Sequence, residues 1–436
     1  MSRVVVIGAG LAGMVSALMA REAGHNVTII SRGMGGLLLS NGTLDLLGWS
    51  NSAEPANSAE LDESNASATP VQALAPAFAQ FVAANPAHPY AQIGFANAAA
   101  GISWLSKHLS FFASLRPDEI TENLLVPTAV GAVRPTAVVP QAMQASVLRD
   151  GDQLLIAGLR RIKDFPAALI ADNLSRSPFV NIQARSVVLD LPVRDGEADA
   201  SGTTYARALD QGLQDTEFAD FLQLLQREIR PGEKVLVPAV LGIKPETFRE
   251  FSDQLGAPIG EIPLPPPSIS GRRIHEALTQ MCRDARIDIQ LNAVVKGFTE
   301  SGKRVTGLQV QRAGRVHLLR ADVVIDAAGG FESGNLERDS HLRIHETIFK
   351  LPLYAHNAPA PDFAAENIFR SGVMVNQSMR PIDADGELCY ENLYCVGSVL
   401  GGALAWKEKS GEGISLGSAY AATAALGTAN ESGKED

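Results

Sequence analysis

The chain has 436 residues, 46% of them hydrophobic, which is enough for two or three domains with large cores. Its net charge of −11 argues against a nucleic-acid-binding surface, and no apolar run of membrane-spanning length lacks both charge and proline. Its three cysteines, Cys282, Cys389 and Cys395, argue against a disulfide framework, and their spacing matches no iron–sulfur or zinc pattern. We therefore expect a protein of a reducing compartment with no metal site of its own.

The first 32 residues predict a βαβ unit. Residues 4–7 and 27–30 are β-branched runs typical of buried strands. A helical pattern covers residues 11–23, and Gly24 follows it as the glycine that ends the helix.

A G-x-G-x-x-G motif stands at the first turn of this unit, in the context that gives the motif weight. Gly8 permits the tight turn, Gly10 lets the backbone approach a phosphate, and Gly13 lets the helix pack closely on the strand. The helix N-terminus offers free N–H groups and a partial positive charge to that phosphate. We therefore expect a nucleotide cofactor here.

The second strand is followed by Ser31-Arg32, where FAD and NAD sites usually carry a carboxylate that binds the adenosine ribose. Arg32 cannot accept those hydrogen bonds, but it can pair with a phosphate. Two explanations stay open at this point. The cofactor is NADP-like, with Arg32 on its 2′-phosphate, or it is a mononucleotide flavin without an adenosine ribose.

Residues 33–48 are rich in glycine, with polar residues at Ser40-Asn41-Gly42. This loop either lies along the cofactor or simply connects two elements. Residues 51–70 are rich in Ala, Ser, Asn and acidic residues and lack aromatic residues, so we expect an exposed, mobile insertion.

The middle of the chain predicts a second domain of mixed α and β structure. Residues 71–115 look helical, 117–140 look like irregular strands, and strands and helices alternate up to about residue 255. Three prolines at 265–267 then form a rigid segment, after which Ser270 or Gly271 starts a helix.

The cofactor domain resumes after this segment. A hairpin is predicted at 294–310, and residues 321–330 form an apolar strand that ends in small residues and glycines. A last strand at 392–400 leads to a small-residue helix that opens at Gly413, as in flavoproteins of the glutathione-reductase type. The N-terminus of that helix would stabilise negative charge on the pyrimidine end of a flavin.

We therefore expect an α/β fold: a discontinuous, Rossmann-like flavin-binding domain of glutathione-reductase type with an inserted α+β domain on the substrate or partner side. The expected division is 1–50, 261–335 and 386–436 for the flavin-binding domain, 51–70 for the insertion, and 71–260 with a return at 336–385 for the second domain.

Several motifs together resemble one family, the B subunit of anaerobic glycerol-3-phosphate dehydrogenase. They are GAGLAG at 8–13, SRG at 31–33, SNGTLDLL at 40–47, AHPY at 87–90, LPPPSISGRR at 264–273 and NLYCVGSVLGG at 392–402. The first is generic, whereas the proline-rich segment and VGSVLGG are much more specific. One departure from the wider superfamily is Gly397-Ser398, where Gly-Asp is usual for holding the ribityl chain.

The resemblance implies a flavin-containing subunit, with FMN as the cofactor and FAD as the alternative. It implies two partner subunits, one that contains FAD and one that carries iron–sulfur clusters and attaches the complex to the cytoplasmic membrane. The complex would oxidise sn-glycerol 3-phosphate to glycerone phosphate and pass electrons to menaquinone in fumarate or nitrate respiration. This chain would be cytoplasmic and would meet the membrane only through a partner.

From the motifs and the resemblance together we expect cofactor contacts from these residues: Gly8, Gly10, Leu11, Ala12, Gly13, Ser31, Arg32, Ser40, Asn41, Gly42, Val295, Ala328, Gly329, Gly397, Ser398, Gly413 and Ile414.

No acid–base pair commends itself from spacing, so the catalytic residues stay unassigned. His341 and His345 form the one helical i, i+4 histidine pair, and we expect solvated helix positions for them. Arg272 and Arg273 start a helix beside the proline run and are expected to be exposed, with a phosphate ligand as the alternative. Two rival functions stay open: a stand-alone FAD or FMN oxidoreductase of a small hydroxy acid or amine, and a cofactor-free scaffold subunit.

Overall fold

The structure is a computed structural model that describes residues 1–49, 69–211, 216–354 and 365–432. Most of the predicted insertion at 51–70 lies outside the described residues. Within these ranges the strands are β1 (Arg3–Ile7), β2 (Asn26–Ile30), β3 (Leu124–Pro127), β4 (Val133–Thr136), β5 (Gln153–Leu159), β6 (Gln183–Leu189), β7 (Lys234–Pro238), β8 (Ile259–Ile262), β9 (Asp288–Gln290), β10 (Ala293–Ser301), β11 (Arg304–Arg312), β12 (Arg315–Arg320), β13 (Val323–Asp326), β14 (Leu336–Arg338), β15 (Ile344–Glu346), β16 (Leu353–Tyr354), β17 (Gly372–Val373) and β18 (Leu393–Cys395). The α-helices are α1 (Leu11–Glu22), α2 (Leu74–Ala84), α3 (Tyr90–His108), α4 (Ala167–Ser175), α5 (Gly202–Leu209), α6 (Thr216–Glu228), α7 (Pro245–Leu255), α8 (Ile269–Asp284), α9 (Ala405–Glu408) and α10 (Gly411–Ser432).

The first βαβ unit forms as its sequence predicts. The side chains of Val4, Val5 and Val6 are buried, because β1 lies inside its sheet with a neighbour on each side. Helix α1 ends at Glu22, and Gly24 takes a φ of +85° that favours glycine. Its N–H donates to the carbonyl of Arg21 at 3.0 Å, so the predicted C-terminal glycine is confirmed.

A five-stranded parallel sheet carries the site. Its strand order is β18-β13-β1-β2-β9, and every neighbouring pair is parallel. The strands come from widely separated parts of the chain, which confirms the predicted discontinuous Rossmann-like fold. Ile7 of β1 is in register with Ile30 of β2 and with Asp326 of β13, so three strand ends meet at one edge.

A second sheet, of order β6-β5-β7-β8, is also parallel throughout. Helices α4, α6 and α7 contribute to its separate core, in which Ile170, Phe221 and Phe251 are fully buried. The antiparallel sheet β10-β11-β12 contains the predicted hairpin.

The core that contains β1 also includes residues from beyond position 71. Phe78 of α2 and Ile93 of α3 are buried in the same core as β1, and so are Phe349 and Val373 of the predicted second-domain return. Helix α3 packs directly on α10, where a Cβ on Gly101 would overlap the backbone of Leu416. The predicted domain division itself stays a prediction.

Candidate flavin site

The phosphate turn has the geometry that its glycines predict. Gly8 has a φ of +111°, and a Cβ there would overlap the carbonyl of Ala327 in the turn after β13. Gly10 is the N-cap of α1 and no side chain caps the helix. A Cβ on Gly10 would meet no atom within 4 Å, so this backbone faces open space. The turn is therefore a cradle in which the free N–H groups of the first turn of α1 can meet an anion.

This cradle is part of a cavity of about 630 Å³ at the carboxyl ends of β1, β2, β13 and β18. Ligands of open α/β sheets bind at this edge. Most of the expected cofactor contacts line the cavity, namely Gly8, Gly10, Leu11, Ala12, Ser31, Arg32, Ser40, Val295, Ala328, Gly329, Gly397, Ser398 and Ile414. The structure thus brings together residues that lie up to 406 positions apart in the chain, from Gly8 to Ile414.

Four expected contacts do not line the cavity: Gly13, Asn41, Gly42 and Gly413. A Cβ on Gly13 would overlap the carbonyl of Gly8, which fits its predicted role in packing helix on strand. Gly42 packs against Ser270 of α8, and its N–H donates to the hydroxyl of Ser40 at 3.1 Å. The lining member of this polar run is therefore Ser40, and the two residues after it shape the loop.

Gly413 is a packing residue of the α10 start. A Cβ there would overlap the phenol oxygen of Tyr90, and its N–H donates to the carbonyl of Asp45 at 2.8 Å. The neighbours Gly411, Glu412, Ile414 and Ser415 line the cavity in its place. The first turn of α10 thus faces the cavity, and its place at the pyrimidine end of a flavin stays a prediction.

Arg32 is an available cation at the rim of the cavity. The hydroxyl of Ser31 donates to the carbonyl of Gly33 at 2.7 Å, which ties the turn after β2 to itself. Arg32 is exposed and makes no hydrogen bond or ion pair with any residue that the structure describes. Its Nη1 lies 3.4 Å from where a Cβ of Gly334 would be, so the side chain reaches towards the loop after β13.

Ser371 is a polar lining residue that sequence reasoning missed. Its side chain is 3% exposed and its Oγ has no hydrogen-bond partner among the described residues. A buried hydroxyl without a partner is costly, so this orphan group is a ready contact for a ligand. The open cradle at Gly10, the uncapped helix α1 and this hydroxyl all fit a phosphate-bearing, hydrogen-bonding cofactor.

Glu412 is a second lining residue that was missed. Burial raises its pKa to about 7, and the negative charge of Asp45 adds to the effect. The hydroxyl of Ser40 donates to its Oε1 at 3.4 Å. In the sequence Glu412 is one acidic residue in a helix first turn, which is common, and no spacing signals the partner at position 45.

The AHPY motif anchors the loop between β18 and α10. His88 and Glu408 are both fully buried, with 3.1 Å between Nε2 and Oε2. The Nδ1 of His88 accepts the N–H of Tyr90, which leaves Nε2 to donate to Glu408. Tyr90 in turn donates to the carbonyls of Leu46 and Ser410. These contacts hold the first turn of α10 against the wall of the cavity.

A buried carboxyl pair lies behind the cavity. Asp326 and Glu346 are both 0% exposed, and neither has an ion-pair partner in the described part of the chain. Burial raises the pKa of Asp326 to about 7, with a further rise from the charge of Glu346. Its Oδ1 accepts the N–H of Ala328 at 3.0 Å and its Oδ2 accepts from Asn335 at 3.4 Å. Asp326 thus orients two lining residues.

Two expectations about charged residues are wrong. His341 and His345 do not lie on a helix, because Asp339 forms a turn that joins β14 to β15, and His345 belongs to β15. Arg273 is buried in an ion pair with Glu261 and donates to the carbonyl of Gly242, so it is a core residue and not an exposed one.

Within the described ranges, no three His, Cys, Asp or Glu side chains come close enough to hold a metal ion. None of the described helices combines the length and the apolar character needed to cross a membrane.

The comparisons with known proteins agree with this geometry. The family model described as FAD binding domain matches residues 3–415. A Halobacterium salinarum protein, named as the probable B subunit of an anaerobic glycerol-3-phosphate dehydrogenase, is 31% identical over 444 residues, covering 98% of each chain. Proteins named as the B subunit of the same enzyme from Pectobacterium atrosepticum and Yersinia enterocolitica are 30% and 27% identical, each covering 95% of this chain and 96% of the relative.

The fold and the site define a flavin-dependent oxidoreductase. The chain belongs to the FAD binding domain family and, within it, to the B-subunit family of anaerobic glycerol-3-phosphate dehydrogenases.

Proposed function

We propose that this chain is a flavin-containing subunit that relays electrons within an anaerobic glycerol-3-phosphate dehydrogenase complex. The complex oxidises sn-glycerol 3-phosphate to glycerone phosphate and passes the electrons to menaquinone in fumarate or nitrate respiration. The observation that carries the proposal is the cavity around Gly8, Gly10 and Ile414 in a chain whose relatives are named as a subunit of this enzyme.

The partners in this proposal are two further subunits, an FAD-containing one and an iron–sulfur one that lies at the cytoplasmic membrane. The part of the chain that the structure describes offers no cluster ligands and no membrane-spanning helix, so a partner must carry electrons to a quinone. The chain itself is cytoplasmic and peripheral to the membrane through the complex.

The flavin that we propose is FMN, and it supplies the ability to accept and release two electrons. Gly8, Gly10 and the first turn of α1 would bind its phosphate, and Arg32 would add a charge-assisted contact. Ser398 would offer a neutral hydroxyl to the ribityl chain, and the N-terminus of α10 would face the pyrimidine end, since both line the cavity.

FAD is the alternative, and one observation favours it. Val294 and Val295 of β10 also line the cavity, and the N–H of Ala293 beside them donates to the carbonyl of Ser31, next to Arg32. An adenosine would lie there. Releasing the cofactor with acid and identifying it by chromatography separates the two: stoichiometric FAD would rule out the preference for FMN.

The relay role is tested by expressing the chain alone and together with both partner subunits. We expect the isolated chain to be yellow and inactive on glycerol 3-phosphate with a dye acceptor, and the full complex to reduce a menaquinone analogue. Full turnover by the isolated chain would exclude a relay. Equal quinone reduction by a complex without this chain would favour a scaffold.

The second candidate function is a stand-alone flavin oxidoreductase of a small hydroxy acid or amine. The presence of Glu412 and the unpartnered Ser371 hydroxyl in the cavity favours it, since an acid–base group and a hydrogen-bonding group are what such chemistry requires. Dye-linked activity of the isolated chain on hydroxy acids or amines, without activity on glycerol 3-phosphate, would support this alternative.

A further inference from the structure

Glu412 has a position that differs from the other charged residues around it. It belongs to the first turn of α10, is half-buried and lines the cavity. Asp45, Arg134 and Lys409 surround it but do not line the cavity. Among these four charged groups, Glu412 is therefore the one that a ligand in the cavity meets.

The neighbours of Glu412 already have partners. Asp45 accepts from the guanidinium of Arg134 and, at 3.0 Å, from the hydroxyl of Thr43. The Nζ of Lys409 donates to the carbonyl of Trp406 at 2.5 Å. The remaining polar neighbour is Ser40, whose hydroxyl donates to Glu412. Glu412 thus has no cation bound directly to it in the part of the chain that the structure describes.

Tyr90 is the other titratable group packed against this cluster. Burial raises its pKa well above the ordinary value, and the charges of Glu408, Glu412 and Asp45 add to the rise. Its hydroxyl therefore stays protonated and donates to backbone carbonyls. Since burial and Asp45 together outweigh the opposing effect of Arg134, the pKa of Glu412 is about 7. Its carboxyl can gain or lose a proton near neutral pH.

The second observation that points to a ligand is Ser371. This side chain lines the same cavity and is only 3% exposed. Its hydroxyl has no hydrogen-bond partner among the described residues. A cavity with an unpartnered hydroxyl and a carboxyl without a bound cation fits a ligand that offers hydrogen bonds to both groups.

We propose that Glu412 is the proton-exchanging residue of this site: its carboxylate takes up a proton when electrons enter the cavity and releases it when they leave. The inference deepens the proposed function, because it rests on a flavin bound there. For each two electrons that arrive, one proton from solvent forms an O–H bond on Glu412, and no bond of the chain breaks. Reoxidation returns the two electrons to the next carrier and the proton to solvent.

The physical reason is electrostatic. Negative charge that arrives in a low-dielectric cavity raises the free energy of a neighbouring carboxylate, so the protonated form becomes favoured. The cation of Arg134 is already bound to Asp45 and cannot neutralise the added charge at Glu412. A proton is the counter-charge that this cluster can accept.

The test is a redox titration of the full chain with its bound flavin, in which the midpoint potential is measured from pH 6 to pH 9. For a two-electron couple, one proton taken up adds about 30 mV per pH unit to the slope. We expect Glu412→Gln to lose that slope above about pH 7, because glutamine binds no proton. The matched control is Glu337→Gln, an exposed position on β14 outside the cavity, which should keep the slope of the parent chain.

A second variant keeps the inference testable if Glu412→Gln does not fold. Ser40→Ala removes the hydroxyl that stabilises the charged carboxylate, so the pH at which the extra slope begins should rise. Equal slopes in the parent and Glu412→Gln, or an unmoved pH in Ser40→Ala, would overturn the proton-exchange role while leaving the flavin in place. Purified chain without any flavin would overturn the proposed function as well.

Discussion

The buried imidazole of His88 donates from Nε2 to Oε2 of Glu408 at 3.1 Å, and neither side chain has any exposure to solvent. The two residues are 320 positions apart. Burial raises the pKa of Glu408, but the hydrogen bonds from His88, Leu404 and Ser410 outweigh it, so the net pKa lies below the ordinary value. The Glu408 carboxyl group and its three donors therefore fix the loop before α10 as one buried, hydrogen-bonded unit.

Replacing His88 by alanine should destabilise the chain strongly, because Glu408 then stays buried without its partner. Losing a buried hydrogen bond to a charged group costs about 1.5–3 kcal/mol in the free energy of unfolding. Chemical denaturation monitored by circular dichroism measures the loss. The control is His108→Ala, which breaks a half-exposed pair with Glu22 and should cost about 1 kcal/mol or less. Equal losses in both variants would contradict an anchoring role for His88.

The Asp326 carboxyl predicts a dependence of stability on pH. Its folded pKa of about 7 lies above the ordinary value of 3.8, so the folded chain holds a proton that the unfolded chain has released. The free energy of unfolding should therefore fall as the pH rises from about 4 to about 7, by an amount on the order of a few kcal/mol. Asp326→Asn removes this fall, so the stability of the variant relative to the parent chain should increase as the pH rises.

The control for this experiment is Asp322→Asn, just before β13. The hydrogen bond from Arg3 lowers the pKa of Asp322, so its contribution to stability is present above the unfolded pKa and is lost as the pH falls. Denaturant unfolding at several pH values gives the difference in the free energy of unfolding between each variant and the parent chain. This difference should change with pH in opposite directions for Asp326→Asn and Asp322→Asn. Parallel pH profiles for Asp326→Asn and the parent chain would contradict the assignment.

Substitutions at two glycines of the phosphate turn should affect flavin binding and folding differently. Gly10→Val places its side chain in the open cradle, so we expect a folded chain, within about 1 kcal/mol of the parent, that no longer retains flavin. The flavin-to-polypeptide absorbance ratio and far-ultraviolet circular dichroism measure both properties. Even the smaller change Gly13→Ala should cost about 1–3 kcal/mol or more, since its Cβ overlaps the carbonyl of Gly8. A folded Gly10→Val chain with full flavin content would exclude this turn as the phosphate site.

Arg32 should decide between flavins. Its guanidinium is free of other partners in the described part of the chain, so Arg32→Gln should weaken binding of FMN by about 1.5–3 kcal/mol, the range for hydrogen bonds to charged groups. Ser31→Glu restores the ribose-binding carboxylate and should shift the preference towards FAD. Fluorescence titration with FMN and FAD measures both. Arg315→Gln, exposed on β12, is the control, and an FMN affinity that falls equally there would leave Arg32 without a specific role.

The sequence was sufficient for the parts of the fold that depend on local rules. The first strand, helix α1 and the stop at Gly24 follow from β-branched runs, helical spacing and glycine geometry, and all three are confirmed. The phosphate cradle follows from the same rules, because G-x-G-x-x-G places its groups within one turn.

The charged groups of the site could not be predicted, since their environment comes from distant segments. The charge that helps to raise the pKa of Glu412 is Asp45, and the charge that helps to raise the pKa of Asp326 is Glu346 on another strand. Neither spacing nor composition marks these neighbours in the sequence. The error at Arg273 has the same origin: its burial depends on Glu261 of β8, which turns a surface-like helix start into a core ion pair. His345 was misplaced because the turn at Asp339 was not recognised.

The order of strands in the central sheet also determines when the sheet can form during translation. Strand β1 pairs with β13, which begins 320 positions later, and β13 pairs with β18, which begins a further 70 positions on. At a translation rate of about 5–20 residues per second, β13 becomes available on the order of tens of seconds after β1. During that interval the edge of β1 that later pairs with β13 is open to chaperones. Gly8 also lacks its contact with the carbonyl of Ala327. The cavity also needs Ile414 of α10, so we expect cofactor loading only after nearly the whole chain has been made, and a cell short of flavin should accumulate chain that is empty.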